Sequence, residues 1–175
     1  VIKSFHGIGK HIIKLTYASY FLELLDAVTQ EEEANEKLLL LILKTLSILE
    51  KTNRNPRLIS VIYELRIMSL IGYMPQVTEC VNCGSQENIN SFDVKMGGIV
   101  CDNCRNEDNH PYKLSQTALY TLKYIMHSDL SKLFNFELDE FILRELEEIS
   151  KSYISYHIEK EFKTLDFIKT ISIDL

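Results

Sequence analysis

A chain of 175 residues, 46% hydrophobic and 25% charged, has the composition of an ordinary globular domain, large enough to bury a core without disulfide staples and too apolar to stay disordered. Its formal net charge of −6 argues against strong nucleic-acid binding by this stretch on bulk electrostatics alone. The longest apolar run, Leu38 to Leu43, is far shorter than the roughly 20 residues of a membrane span, and the residues after Val1 lack the sections of a secretory signal, so the chain reads as a fragment or processed piece of a cytoplasmic protein.

From Lys10 to Gln30, the residues Ile13, Tyr17, Tyr20, Phe21, Leu24, Leu25 and Val28 recur at three- and four-residue steps, the period of one helix face. Glu31-Glu32-Glu33 then suits a solvated turn or the acidic start of the next helix. That second helix, Asn35 to Lys51, is apolar around most of its circumference, which places it at the centre of a bundle. The third is framed in the expected order: Asn55 as cap, Pro56 at the first helical position, Gly72 past the end and Pro75 beyond.

Residues 77–111 break every helical period. Within them Ile89, Ser91-Phe92 and Ile99-Val100 read as two short strands, with Gly97-Gly98 as the hairpin turn. Ser115 caps a helix through His127, and a turn from Asp129 to Asn135 leads into a long helix from Asp139 to Glu161 facing inward with Ile142, Leu146, Ile149, Tyr153 and Tyr156. The apolar stretch Thr164 to Leu175 packs back onto the bundle. The expected fold is mainly α: a helical bundle formed by 1–76 and 112–175, with an inserted four-cysteine zinc knuckle or ribbon, 77–111, that contains a short β-hairpin.

The chemistry is concentrated in Cys80-Val81-Asn82-Cys83 and Cys101-Asp102-Asn103-Cys104, two C-x-x-C turns separated by seventeen residues, a spacing typical of zinc sites. Each turn aims two thiolates at one tetrahedral ion about 2.3 Å from each sulfur, while turn N–H groups donate to the sulfurs. Two disulfides are the alternative; the lack of a secretory signal and of any Asn-x-Ser/Thr sequon, and a length that needs no covalent framework, argue against them. A rubredoxin-like iron site favours Gly after both pairs, whereas Arg105 follows the second. Cys80, Cys83, Cys101 and Cys104 are thus the expected ligands of a structural Zn²⁺, since four thiolates leave no coordination position for substrate.

Other candidates are weaker. Lys95 and Arg105 are near enough in sequence to offset the charge of the thiolates. The five histidines are dispersed, with His110 the one substitute ligand, and no Walker loop or dinucleotide fingerprint is present, so no catalytic residues are expected and the protein reads as a non-enzyme. The basic groups Lys10, His11 and Lys14, and Arg54, Arg57 and Arg66, read as solvated surface. Tyr17, Tyr20, Tyr153 and Tyr156 fall on helix faces as packing residues and not as base-stacking platforms.

Ala18-Ser19-Tyr20 with Glu23-Leu24, Tyr63-Glu64-Leu65-Arg66 with Leu70-Ile71-Gly72-Tyr73-Met74-Pro75, then Cys80-Val81-Asn82-Cys83-Gly84, Phe92, Gly97 to Cys101, Cys104, Tyr153, His157 and Lys163-Thr164-Leu165 occur in an order that resembles the RecO family. The resemblance implies a bacterial DNA-repair and recombination mediator that anneals complementary strands and, with RecR, loads recombinase onto strands coated by single-strand-binding protein. It implies RecR and the acidic C-terminal tail of single-strand-binding protein as partners, and single- and double-stranded DNA bound mainly through an N-terminal OB-fold that nothing before Lys10 could supply. Helix three, with Arg57 and Arg66, is one expected seat for the acidic tail. A zinc-ribbon regulator of transcription type is the rival; it explains the cysteines and the hairpin but not Tyr63 to Pro75.

Overall fold

A computed structural model describes residues 5–29 and 35–173. Six helices, α1 (Ile12–Val28), α2 (Glu36–Lys51), α3 (Pro56–Leu70), α4 (Gln116–His127), α5 (Glu140–His157) and α6 (Lys163–Ile173), surround one core, and strands β1 (Ile89–Asp93), β2 (Gly98–Cys101) and β3 (Tyr112–Lys113) lie between α3 and α4. The mainly helical class with a small β element is as expected. Gln30, the run Glu31-Glu32-Glu33 and Leu175 lie outside the described residues.

Local chemistry sets most boundaries. Asn55 Oδ1 accepts from Arg57 N–H at 3.0 Å, with Pro56 opening α3. Gly72 then takes φ +96°, and Tyr73 N–H donates to Met68 C=O at 2.9 Å, closing the helix in the left-handed manner that glycine permits. Asn35, Ser115 and Asp139 cap α2, α4 and α5 by accepting from Leu38, Ala118 and Ile142 N–H groups.

The bundle is centred on α3, not α2. α3 packs on α1, α2, α4 and α5, and ten of its fifteen residues are buried, among them Tyr63 and Glu64. α2 buries one stripe, Leu38, Leu41, Ile42, Thr45, Leu46 and Leu49, and leaves Leu39, Leu40 and Leu43 exposed. Apolar composition alone does not reveal which side of a helix has neighbours; α2 packs on α1 and α3 and so is covered on one side only.

α5 stops at His157, four residues before the expected end. Ile158 is extended, which turns the chain so that Phe162 meets Tyr20 edge-on at 5.8 Å and α6 runs along α1, as the return of the C-terminal stretch anticipated. Thr164 Oγ1 donates to Glu23 Oε2 at 2.5 Å across this contact.

The sheet has order β2-β1-β3, all antiparallel, so the hairpin carries a third strand that the sequence did not signal. The turn occupies Val94 to Gly97, with Gly97 at φ +79°. Gly98 is already in β2: a Cβ there would stand 2.4 Å from Gln76 C=O, so this glycine serves close backbone approach and not the turn. The sheet is tied to the bundle by Phe92, edge-on to Tyr153 at 5.7 Å, by Gln116 Nε2 donating to Ile89 C=O at 2.9 Å, and by Tyr112 and Ser152 sharing a 2.5 Å hydroxyl contact. Among the described residues no helix is long and apolar enough to cross a membrane.

Candidate metal centre

The structure brings Cys80, Cys83, Cys101 and Cys104 together, all four sulfurs lying within 4.8 Å of one another. Cys80 and Cys83 sit on the turn that follows Val77; Cys101 ends β2 and Cys104 closes the short 3-10 turn Asp102–Cys104. The first turn is held by Cys80 N–H to Ser85 C=O at 2.7 Å, Gly84 N–H to Cys80 C=O at 2.9 Å and Val81 N–H to Ile99 C=O at 3.0 Å. Gly84, at φ +74°, completes it. The last of these bonds fastens the first turn to β2, so the hairpin presents the second pair to the first.

No disulfide links them: all four are free, and Cys83 Sγ stands 3.6 Å from Cys101 Sγ. A tetrahedron with metal–sulfur bonds of about 2.3 Å has edges of about 3.8 Å, so the spacing fits four sulfurs around one ion. Cys80 and Cys101 are buried and Cys83 is exposed, which leaves the cluster open on one side. Burial would push the Cys80 thiol up, but N–H donors from Cys101, Cys83 and Asn82 together bring it down to about 6. Contact with the Cys83 sulfur, then burial, pushes Cys104 up to about 12. One thiolate forms readily and the last is opposed by its neighbours, an imbalance that a divalent cation at the centre removes.

The neighbouring cations take other roles than expected. Arg105 pairs with Glu107 at 2.7 Å, and Lys95 stands in the β1–β2 turn, at the opposite end of β2 from Cys101. His110 is not in the cluster. Arg57 is held by Glu147 at 2.5 Å and Glu140 at 2.8 Å, and Arg54 by Glu137 at 2.7 Å. Arg66 turns inward and donates to Ile125 and Met126 C=O at 3.1 and 2.7 Å, satisfying the C-terminal end of α4, while Lys14 does the same for Glu50 and Thr52 C=O at the end of α2. Both arginines of helix three expected to receive an acidic tail thus have partners within the molecule. Tyr17, Tyr20 and Tyr153 are buried as expected, but Tyr156 is half exposed.

A helical bundle that gathers four thiols at the tip of a small inserted sheet defines a class of helical proteins with a cysteine-only metal knuckle. Residues 9–166 match the family described as "Recombination protein O C terminal". The protein named DNA repair protein RecO from Acetivibrio thermocellus is 38% identical over 172 residues, covering 98% of this chain and 68% of the relative. Those of the same name from Thermoanaerobacter sp. and Caldicellulosiruptor saccharolyticus are 33% and 32% identical over 171 and 173 residues, each covering 98% of this chain and 69% of the relative. The chain belongs to the RecO family.

Proposed function

We propose that the chain is the helical, metal-bearing portion of a bacterial DNA-repair and recombination mediator that works without catalysing a covalent reaction. The observation that supports this most is the four-sulfur cluster within a family member: the cysteines would fill all four coordination positions of a tetrahedral ion, which would then shape the fold and not react. Zinc suits the donor set, because four thiolates at tetrahedral spacing select a borderline-soft ion with no geometric preference of its own. Cys80, Cys83, Cys101 and Cys104 would hold it, and the ion would bind the turn after Val77 to the hairpin end.

The relatives' names carry DNA repair to this chain as part of the same reading. In it, the protein acts in the cytoplasm at the nucleoid, with RecR and the acidic tail of single-strand-binding protein as partners, in strand annealing and recombinase loading. Arg57 and Arg66, the α3 cations expected to receive the tail, are engaged within the molecule, so a tail seated there would have to displace Glu140 and Glu147 from Arg57. The test is binding of this chain to RecR, by co-elution, and to a labelled peptide of the single-strand-binding protein tail, by anisotropy. Saturable binding of both without nucleotide is expected; binding of neither contradicts the reading.

A further inference from the structure

An aromatic cluster at the end of α5 runs from the buried Tyr153 out to the surface. The His157 ring lies 4.4 Å from Tyr153, one turn back, 5.0 Å from Tyr156 at 90°, and 4.8 Å from Tyr73, which arrives from the loop after α3 at a tilt of 38°. Tyr153 is buried, whereas Tyr73 and Tyr156 remain 45% and 52% exposed. Gln76 N–H donates to Gly97 C=O at 2.9 Å, and a Cβ on Gly97 would stand 3.7 Å from Tyr153 Oη. The β1–β2 turn carrying Lys95 and the exposed Met96 therefore abuts the cluster, as does the exposed Met74 next to Tyr73. Lys95 is exposed with no ion pair among the described residues.

We propose that Tyr73, Tyr156 and His157 form a stacking platform for unpaired bases of a single-stranded nucleic acid, with Lys95 facing its phosphates. The proposal rests on the DNA-directed reading above and adds a contact in this portion of the protein. Bases are the occupant that this chemistry fits. Tyr73 and Tyr156 offer π faces, which any base can meet, while the His157 ring, packed against Tyr73, Tyr153 and Tyr156, holds the two exposed rings in place. A partner helix would instead seek aliphatic ridges, such as the exposed Leu39, Leu40 and Leu43 of α2. Duplex is disfavoured because its base faces are already stacked. On a chain of net charge −6, stacking supplies what bulk electrostatics does not, so the binding depends weakly on salt, with a slope of about −0.7 for each phosphate contact such as that of Lys95.

The chain has no tryptophan, so its intrinsic emission reports the tyrosines. Titration with oligothymidylate should quench that emission, and an abasic oligomer of equal length should bind at least about tenfold more weakly. Tyr73→Ala and Tyr156→Ala should each lose about tenfold, whereas Tyr73→Phe and Tyr156→Phe keep the ring and the affinity. Circular dichroism serves as the folding control, which these exposed positions should pass. If the wild-type chain binds both oligomers equally, or the alanine variants bind like wild type, the platform is overturned while the reading tested with RecR and the tail peptide stands. A chain that binds those partners but no oligonucleotide overturns the platform alone, and one that binds none of them overturns both.

Discussion

Glu64 is fully buried in the middle of α3, with hydroxyls of Tyr20 and Ser60 donating to Oε1 at 2.9 and 3.0 Å and Ser150 donating to Oε2 at 2.5 Å. Burial raises its pKa despite those donors. A carboxyl raised on folding contributes stability that is complete below its unfolded value, about 4.3, and is lost as pH rises through the folded one. Glu64→Gln keeps the shape without the charge. Its melting temperature should exceed that of wild type by a margin that grows as pH rises and vanishes in acid; a margin independent of pH would show that Glu64 does not titrate in the fold. Glu64→Ala, which strands the Tyr20 and Ser60 hydroxyls and leaves Ser150 only its bond to Glu147 C=O, should cost about 2–4 kcal/mol. Gly98 is constrained by backbone: Gln76 C=O and Val81 Cγ1 would stand 2.4 and 2.8 Å from a new Cβ. Gly98→Ala should cost about 1–3 kcal/mol in denaturant titration and weaken metal retention, because Val81 adjoins Cys80; an unchanged midpoint would mean that the strand shifts freely.

At the scale of elements, what was legible in the sequence is what local chemistry decides. Asn55, Pro56 and Gly72 framed α3 because caps and turns act within a few residues, and the paired C-x-x-C turns announced their shared target for the same reason. What was not legible depends on distant neighbours. Arg57 meets Glu147 and Arg66 meets Met126 across 90 and 60 residues, which no window along the chain reveals. β3 has two residues and therefore no periodicity to read, and Tyr156 continues a helical face that the core stops covering after Ile154. The exposed side of α2 was hidden by uniform leucine, and a substitution pair separates the two sides. Leu43→Lys should change stability by no more than about 0.5 kcal/mol, whereas Leu41→Ala should cost about 2–5 kcal/mol. Equal large losses would place α2 at the centre after all.

For the whole molecule, the sheet and the bundle share one apolar core through Val77, Ile89, Phe92 and Leu114, yet the helices bury faces of their own. Cys101→Ser should therefore loosen residues 77–111 in hydrogen exchange while far-UV circular dichroism stays helical; complete unfolding would mean that the metal centre holds the bundle together as well. Whether four cysteines jointly hold one ion is decided by titrating the reduced, metal-free chain with Co²⁺ and following the thiolate-to-metal and tetrahedral d–d absorption. One equivalent should saturate both bands, protect all four cysteines from alkylation and be displaced by one equivalent of Zn²⁺. Absence of the bands, or saturation that survives replacement of two of the four cysteines, would contradict joint binding by all four.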